Sequence, residues 1–390
     1  MRYRSIMLLS AGHLFTDINQ GAIPALLPFF IAEYHLSYAA AASIVFAANI
    51  ASSVVQPVFG FYSDRMAKVW LMPVGILIAG LGFAVTGVAG SLPLILAAVA
   101  ISGCGVAAFH PDAARLANRL AENKKALAMS IFAVGGNAGF ALGPLLATGA
   151  MLTWGLQGTL IFAVSPLIVA AFLYFQFRDM SLPQPLKAAV GELAADQPKD
   201  QWPAFLRLSG VVVSRSVLFF GFNTFIPIYW INVLHQSSVA GGSALSLLFS
   251  LGIFSTLLGG RLADRLGYRN TIMAGFGLLL PLIAIFTHIH DTFWATAMLI
   301  PISLGLFGIY GPLMASGQSF LPNRVGFASG VTIGLAVTIG GVAAPILGWL
   351  ADMYGIQTAL QCLIVIPVFA MAMTATLPAD KRPEKGVVAS

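Results

Sequence analysis

Charged residues are scarce in this chain, and their scarcity excludes a water-soluble protein. Only 9% of the 390 residues are charged, 58% are hydrophobic, and the mean hydropathy is +0.88. Ordinary soluble domains carry about 25% charged residues, so we predict an all-α polytopic membrane protein. Cysteine is also rare, and Cys104 and Cys362 lie within apolar runs, which argues against a disulfide framework.

Motifs for catalysis and for nucleotide binding are missing. No G-x-x-x-x-G-K-[ST] loop occurs, and no nucleophile stands beside a positioned base. Four histidines fall in predicted loops without the spacing of a metal site: His35, His235, His288 and His290. We therefore expect no enzyme, no cofactor and no metal, and a source of energy in an ion gradient or in the substrate's own gradient.

Twelve apolar segments are long enough to cross the hydrocarbon, which takes about 20 helical residues. They span residues 6–31, 38–61, 69–90, 92–115, 126–149, 153–177, 205–233, 238–261, 269–290, 293–318, 326–350 and 354–377. A proline-rich, acidic stretch interrupts them after the sixth. We predict an N-terminal half (1–177), a linker (178–204), a C-terminal half (205–377) and a tail (378–390).

The two halves repeat one another. A charged turn at 60–68, G-F-Y-S-D-R-M-A-K, recurs at 260–269 as G-R-L-A-D-R-L-G-Y-R. The shared residues are Gly60, Asp64 and Arg65, matched by Gly260, Asp264 and Arg265. Prolines recur at similar spacing, as Pro28 with Pro227, Pro111 with Pro312, and Pro144 with Pro345. An ordinary charged turn does not explain both copies, whereas a duplicated helical unit is typical of transporters.

Basic residues follow the predicted topology of the membrane. If the N-terminus is cytoplasmic, every Lys and Arg except Arg215 falls at a terminus or at a cytoplasmic helix end or loop. Cytoplasmic loops of membrane proteins carry such an excess of Lys and Arg. We therefore expect both termini and the linker in the cytoplasm, and no nucleic-acid partner in spite of the net charge of +6.

Few ionisable residues lie inside the predicted spans, and each is a candidate for function because its burial is costly. His13, Asp17 and Gln20 share one face of the first helix. Counted from residue 6 at ~1.5 Å per residue, Asp17 lies roughly 16 Å along that helix, close to the middle of the bilayer. Arg215 lies at a similar depth in helix seven, which predicts an attraction between Asp17 and Arg215 across a central cavity.

His110, beside Pro111, is a second histidine that could relay protons. Plain packing is the alternative for both histidines and for Asp17, and a solvated helix end is the alternative for Asp112 and Arg115. The proton-coupling set is predicted to be Asp17, His13 and His110. The substrate contacts are predicted among polar groups of the spans, namely Arg215, Gln20, Asn137, Asn223 and Tyr310.

These patterns resemble the major facilitator superfamily over nearly the whole chain. The turn at 260–269 is similar to the superfamily's loop signature, while the copy at 60–68 departs from it at Tyr62 and Ala67. The resemblance implies that the glycine permits close helix approach and that the aspartate holds one conformation. Helix four, at 103–111, is similar to the superfamily's pattern, although Val99 stands where an arginine is expected.

Helix five carries G-F-A-L-G-P, with Gly139, Gly143 and Pro144, which resembles the superfamily's antiporter motif. A glycine face beside a proline kink also serves plain helix packing. Both interpretations predict a close contact between two helices at this point.

A closer resemblance rests on G-H-L-F-T-D-I-N-Q at 12–20, F-H-P-D-A-A-R at 109–115 and G-G-N-A-G-F-A-L-G-P at 135–144. These stretches resemble the fosmidomycin resistance protein family of bacterial inner-membrane exporters. The resemblance implies proton-driven efflux of a small drug or metabolite, antibiotic resistance, and an anionic substrate with Arg215 as its counter-charge. Proton-coupled uptake of a nutrient, or a receptor or scaffold without transport, are the alternatives. We expect a monomer.

Overall fold

The computed structural model describes residues 3–65, 70–120, 125–178, 199–322, 328, 331–332 and 336–378. Over these ranges the chain is helical and contains no β-strand. The first half consists of α1 (Tyr3–Tyr34), α2 (Tyr38–Arg65), α3 (Leu71–Ala84), α4 (Leu92–Leu120), α5 (Lys125–Trp154) and α6 (Val164–Phe177). Short 3-10 helices extend α3 over Val85–Val88 and join α5 to α6 over Gly155–Ala163.

The second half begins after the predicted linker, most of which lies outside the described ranges. Its helices are α7 (Trp202–Asn232), α8 (Ser238–Leu266), α9 (Tyr268–Phe286), α10 (Thr292–Phe307), α11 (Tyr310–Phe320), α12 (Ala336–Tyr354), α13 (Ile356–Gln361) and α14 (Val365–Ala375). A turn at 308–309 separates α10 from α11 within one crossing, and a 3-10 turn, Cys362–Ile364, joins α13 to α14 in the last crossing.

Ten stretches of the described chain are long and apolar enough to cross a membrane. One of them, Ile131–Phe177, has 47 residues, and at ~1.5 Å per residue it would measure roughly twice the hydrocarbon core. The chain turns back at Gly155, where φ is +58°, so this stretch crosses twice. With α12, whose 19 residues also suffice, the count reaches the predicted twelve crossings. The prediction of an all-α multi-pass fold is confirmed.

The duplication seen in the sequence extends to backbone conformation. His35 and His235 lie in the corner that follows the first helix of each half and have positive φ angles of 50° and 52°, a conformation that is uncommon outside glycine. Two residues later, Ser37 and Ser237 each accept a hydrogen bond from the amide three residues ahead. The same corner therefore starts the second helix of both halves.

The halves meet along two seams, where α2 packs on α12 and α5 packs on α8. Because successive crossings alternate in direction, Tyr3 and Trp202 lie at one membrane face, which we call the terminal face. Tyr34 and Asn232 lie at the opposite one, which we call the distal face. Large apolar side chains such as Phe172, Phe254 and Phe293 are exposed, as expected of residues that contact lipid.

Candidate transport site

Helices α1 and α5 touch through a row of glycines. A Cβ atom built on Gly139 would lie 2.5 Å from the Leu14 carbonyl oxygen, and one on Gly143 would lie 2.6 Å from the Ile18 carbonyl oxygen. Contacts to backbone at such distances do not occur for real Cβ atoms, so only glycine allows this approach. The glycines of the predicted antiporter motif, which Pro144 follows directly, therefore lie against the backbone of α1.

Asp17, His13 and His110 form a buried cluster, which we call the triad, where α1 meets α4 and α5. The two Asp17 oxygens lie 3.1 Å from His13 Nε2 and 3.2 Å from His110 Nε2. The two Nε2 atoms are 3.0 Å apart, and Asp17 is only 5% exposed. Gly136 of α5 closes the cluster, since a Cβ there would lie 2.5 Å from His13 Nε2. The residues predicted for proton coupling are thus in mutual contact.

Backbone carbonyl groups fix the orientation of both imidazole rings. His13 Nδ1 lies 2.8 Å from the Phe132 carbonyl oxygen, and His110 Nδ1 lies 2.9 Å from that of Val106. A carbonyl oxygen only accepts, so each Nδ1 carries the hydrogen and donates it. A neutral ring then has a lone pair on Nε2. Two neutral rings would bring two lone pairs and a carboxylate together, so the cluster as built accommodates added positive charge.

The triad also has the composition of a transition-metal site, with one ligand atom from each residue within 4.8 Å of the others. Zinc holds its ligands at about 2.0–2.2 Å in a tetrahedron, which sets the ligand atoms roughly 3.4 Å apart. The observed separations of 3.0 to 3.2 Å are those of hydrogen bonds. The geometry fits a hydrogen-bonded cluster better than a metal shell.

Arg215 of α7 lies in a separate, aromatic environment. Its guanidinium carbon is 4.8 Å from the centre of the Tyr310 ring, 5.3 Å from that of Phe219 and 6.0 Å from that of Phe307. Nε donates a hydrogen bond of 3.1 Å to the Leu306 carbonyl oxygen. Arg215 is 8% exposed, and over the described ranges its terminal nitrogens have no hydrogen-bond acceptor and no carboxylate partner.

The break between α10 and α11 positions these groups. Leu306 and Phe307 end α10, and Tyr310 begins α11 after the turn at 308–309. Pro312 follows at the point where a proline cannot donate to the carbonyl four residues earlier. Broken helices near the membrane midplane recur at the binding sites of secondary transporters. Here the break supplies both the carbonyl group and two of the rings that surround Arg215.

A sequence model described as Major Facilitator Superfamily matches residues 9–345. The chain belongs to this superfamily. It is therefore a membrane transporter and not an enzyme, and the family resemblance read from its motifs is confirmed.

Two curated relatives and one solved structure show how far this likeness extends. The chain is 30% identical to YfnC of Bacillus subtilis, an uncharacterised transporter of the same type, over 97% of this chain and 94% of that protein. It is 27% identical to the fosmidomycin resistance protein of Escherichia coli, over 96% and 92%. A bacterial homologue of the human lysosomal transporter Spinster, solved in an inward-facing and occupied conformation, shares the fold with a TM-score of 0.80 at 15% identity, over 96% of each chain.

In this superfamily member the predicted contact between Asp17 and Arg215 is not formed. Asp17 contacts the histidines of its own half, whereas Arg215 turns towards α10 and α11 of the second half. Both residues lie near the middle of their helices, but position along a helix does not fix the side of the helix that faces a cavity.

Three further polar residues predicted to line the site form no hydrogen bond with the triad or with Arg215. Gln20 is half-buried and Asn137 is exposed. Asn223 is 4% exposed, and its Oδ1 atom has no hydrogen-bond partner over the described ranges. Buried polar atoms are normally hydrogen-bonded, so the unpaired oxygen of Asn223 is expected to bind a ligand or water. Asn223 is therefore the strongest candidate of the three for a substrate contact.

The structure describes only part of the charged-turn motif. Apart from their place in helices α2 and α8, nothing is described for Gly60, Asp64, Arg65 and Asp264. No described atom would lie within 4 Å of a Cβ on Gly260, so the close helix approach expected of this glycine has no support among the described residues. Its neighbour Gly259 has that role, since a Cβ would lie 1.9 Å from the Gly308 carbonyl oxygen. Arg265 is exposed in the last turn of α8.

Three rings of the site were not among the residues predicted from the sequence: Phe219, Phe307 and Phe132. The Phe132 ring stacks on His13 with the ring centres 4.2 Å apart. Phe219 follows Arg215 by four residues, and that spacing places two side chains on one helical face. The pattern was therefore available for Phe219. The other two rings come from distant segments and are among 28 phenylalanines, so no local signal singles them out.

Proposed function

We propose that this transporter exports a small anionic drug or metabolite across the bacterial inner membrane in exchange for protons, by alternating access. The observation that carries the proposal is the triad, a carboxylate bracketed by two histidines deep inside a membrane span. The likeness to the fosmidomycin resistance protein supports export as the direction.

The orientation of the rings supports proton binding. Because both Nδ1 atoms donate to carbonyl groups, a proton must occupy at least one Nε2 atom for the cluster to form hydrogen bonds. The groups that face Asp17 are His13 from its own helix and His110 from α4, while α5 contributes glycines. Loss of that proton would leave three acceptors in contact, and the cluster would have to open. Proton occupancy is thereby linked to the packing of α1 on α5.

The environment of Arg215 supports an anionic substrate. A guanidinium group carries five N–H donors and stays charged, and only the Nε donor has a partner among the described residues. Aromatic rings hold the group in place without neutralising it. A carboxylate, phosphate or phosphonate can accept two parallel hydrogen bonds from such a group, and the rings can cover the apolar part of the molecule.

A row of packed rings links the two sites. Phe140 follows Gly139 on α5, and its ring centre lies 5.3 Å from that of Phe249 on α8. Phe249 lies 6.0 Å from Phe219, which is next to Arg215. A change in the packing of α1 on α5 would therefore move the wall of the Arg215 site, which gives proton release a physical route to the substrate.

The distribution of charge supports the orientation. At the helix ends that the structure describes, Arg4, Arg178, Arg207 and Arg269 lie at the terminal face. The positive-inside rule supports a cytoplasmic location for this face, and with it for both termini and the linker. The protein is expected to act as a monomer.

The test is transport in reconstituted vesicles of known orientation, with a panel of anionic compounds and an imposed pH gradient. We expect substrate to move in the direction opposite to the protons. Asp17→Asn should abolish this flux while exchange of substrate for substrate continues. Asp291→Asn makes the same chemical change at a loop and should transport normally. Flux in the same direction as protons would favour uptake, and proton-driven flux in Asp17→Asn would disprove the assigned role of the triad.

A further inference from the structure

The two halves are joined at the distal face by a carboxylate. Asp352, near the end of α12, accepts hydrogen bonds from the backbone amides of Tyr38 and Ala39 at the start of α2, at 2.6 and 3.0 Å. The amide of Asn232, at the end of α7, donates to the hydroxyl of Tyr38 at 2.8 Å. All three bonds connect the second half to the first.

Asp352 adds to a cap that α2 already has. The first amides of a helix lack partners within the helix, and Ser37 of the same half accepts from the third of them. Asp352 accepts from the first two and brings a negative charge to the positive end of the helix dipole. The two bonds therefore join the two halves and complete a helix end at the same time.

The repeat shows that helix formation does not require this carboxylate. Helix α8 begins with the same corner and the same serine cap, Ser237, yet no described carboxylate accepts from its first amides. The position that corresponds to Asp352 at the repeat offset is Leu152, which is exposed. The acidic contact is thus present at one of two equivalent seams.

Behind Asp352 the seam is closed by backbone contact. One turn earlier on α12, a Cβ on Gly348 would lie 2.6 Å from the Cα atom of Ala39. Two turns further, a Cβ on Gly341 would lie 3.6 Å from the ring of Phe46. For the site to open to the distal face, α2 and α12 must part here, and the bonds to Asp352 must break.

We propose that Asp352 is a positioning residue that holds α2 against α12 at the distal face, a contact that we call the latch. Its bonds to the start of α2 set how often the site opens to that face. This proposal rests on the alternating access that the proposed function includes. It does not depend on which ion or substrate is carried.

The experiment measures how fast a cysteine at Phe46 reacts with a membrane-impermeant maleimide added at the distal face. It uses the full-length protein with Cys104 and Cys362 replaced by serine. Asp352→Asn keeps one acceptor oxygen but loses the other together with the charge. We expect it to speed labelling by about 2- to 10-fold, the factor that one hydrogen bond corresponds to, and Asp352→Glu to restore slow labelling.

Asp291→Asn is the matched control. Asp291 also caps a helix start at this face, through the Trp294 amide at 3.0 Å, but within one half, so labelling should not change. Equal rates in Asp352→Asn and Asp291→Asn would overturn the latch, as would faster labelling that merely tracks a lower melting temperature. Because labelling needs neither protons nor substrate, failure of proton coupling and failure of the latch are separate results.

Discussion

Gly136 is the position where one added methyl group tests the role of the triad most directly. A Cβ atom on Gly136 would lie 2.5 Å from His13 Nε2 and 2.7 Å from Asp17 Oδ2. The His13 ring cannot swing away freely, because Nδ1 is bonded to the Phe132 carbonyl group and the ring stacks on Phe132. We therefore expect Gly136→Ala to push the triad apart.

The size of the effect follows from the overlap. Ordinary contact begins at 3.4 Å, so the new methyl group intrudes by about 0.9 Å. Overpacking of this kind costs about 1–3 kcal/mol, which a stable protein survives. A displacement of about 1 Å among reacting groups costs on the order of 100-fold in rate. We expect proton-driven flux to fall by about that factor while the protein still folds.

Gly149→Ala is the matched control, since it lies on the same helix and a Cβ there would meet nothing within 4 Å. Its flux should equal that of the wild type, with a gain in helix stability of up to ~1 kcal/mol. Both variants are reconstituted at equal abundance, and flux is measured with and without a pH gradient. Wild-type flux in Gly136→Ala would show that the contact of α5 with the triad has no part in coupling.

Two further predictions concern the substrate and the topology. Arg215→Lys keeps the charge but loses the planar, forked donor group that lies among three rings, so we expect about tenfold weaker binding of an anionic substrate, or ~1.4 kcal/mol, in saturation assays. Arg207→Lys, at an exposed position of the same helix, should bind normally, and equal affinity in both variants would contradict the assigned role. A cysteine at Ser237 should react with an impermeant reagent outside intact cells, while one at Gln197 should be protected, and the reverse pattern would refute the assigned topology.

The sequence predicted the elements of this fold well because length and hydropathy determine crossings. Its errors concern the direction in which residues face. Successive residues of a helix differ by about 100° around its axis. Among the described residues, Gly259 and not Gly260 therefore contacts the turn at Gly308, although the motif contains Gly260. The same limit explains why Asp17 and Arg215, at matching positions along their helices, do not meet.

The candidate site was predicted in part. His13 and Asp17 could be paired from their spacing of four residues, while His110 joins them only because α4 packs near α1. The carbonyl groups of Phe132 and Val106, which orient both rings, carry no sequence signal, because every residue has a carbonyl. The break at 308–309 had a signal in G-I-Y-G-P, where two glycines and a proline weaken a helix.

The separation of the triad from Arg215 has a consequence for energetics. Asp17 is paired within the first half, and Arg215 has no described carboxylate partner in the second, so the charges of the two sites do not cancel each other. In a one-for-one exchange, a proton moving inward and a monovalent anion moving outward both carry current in the same direction. Each elementary charge is worth about 2.3 kcal/mol per 100 mV. A cell with a negative interior could then drive export by voltage alone, even when the pH is equal on both sides.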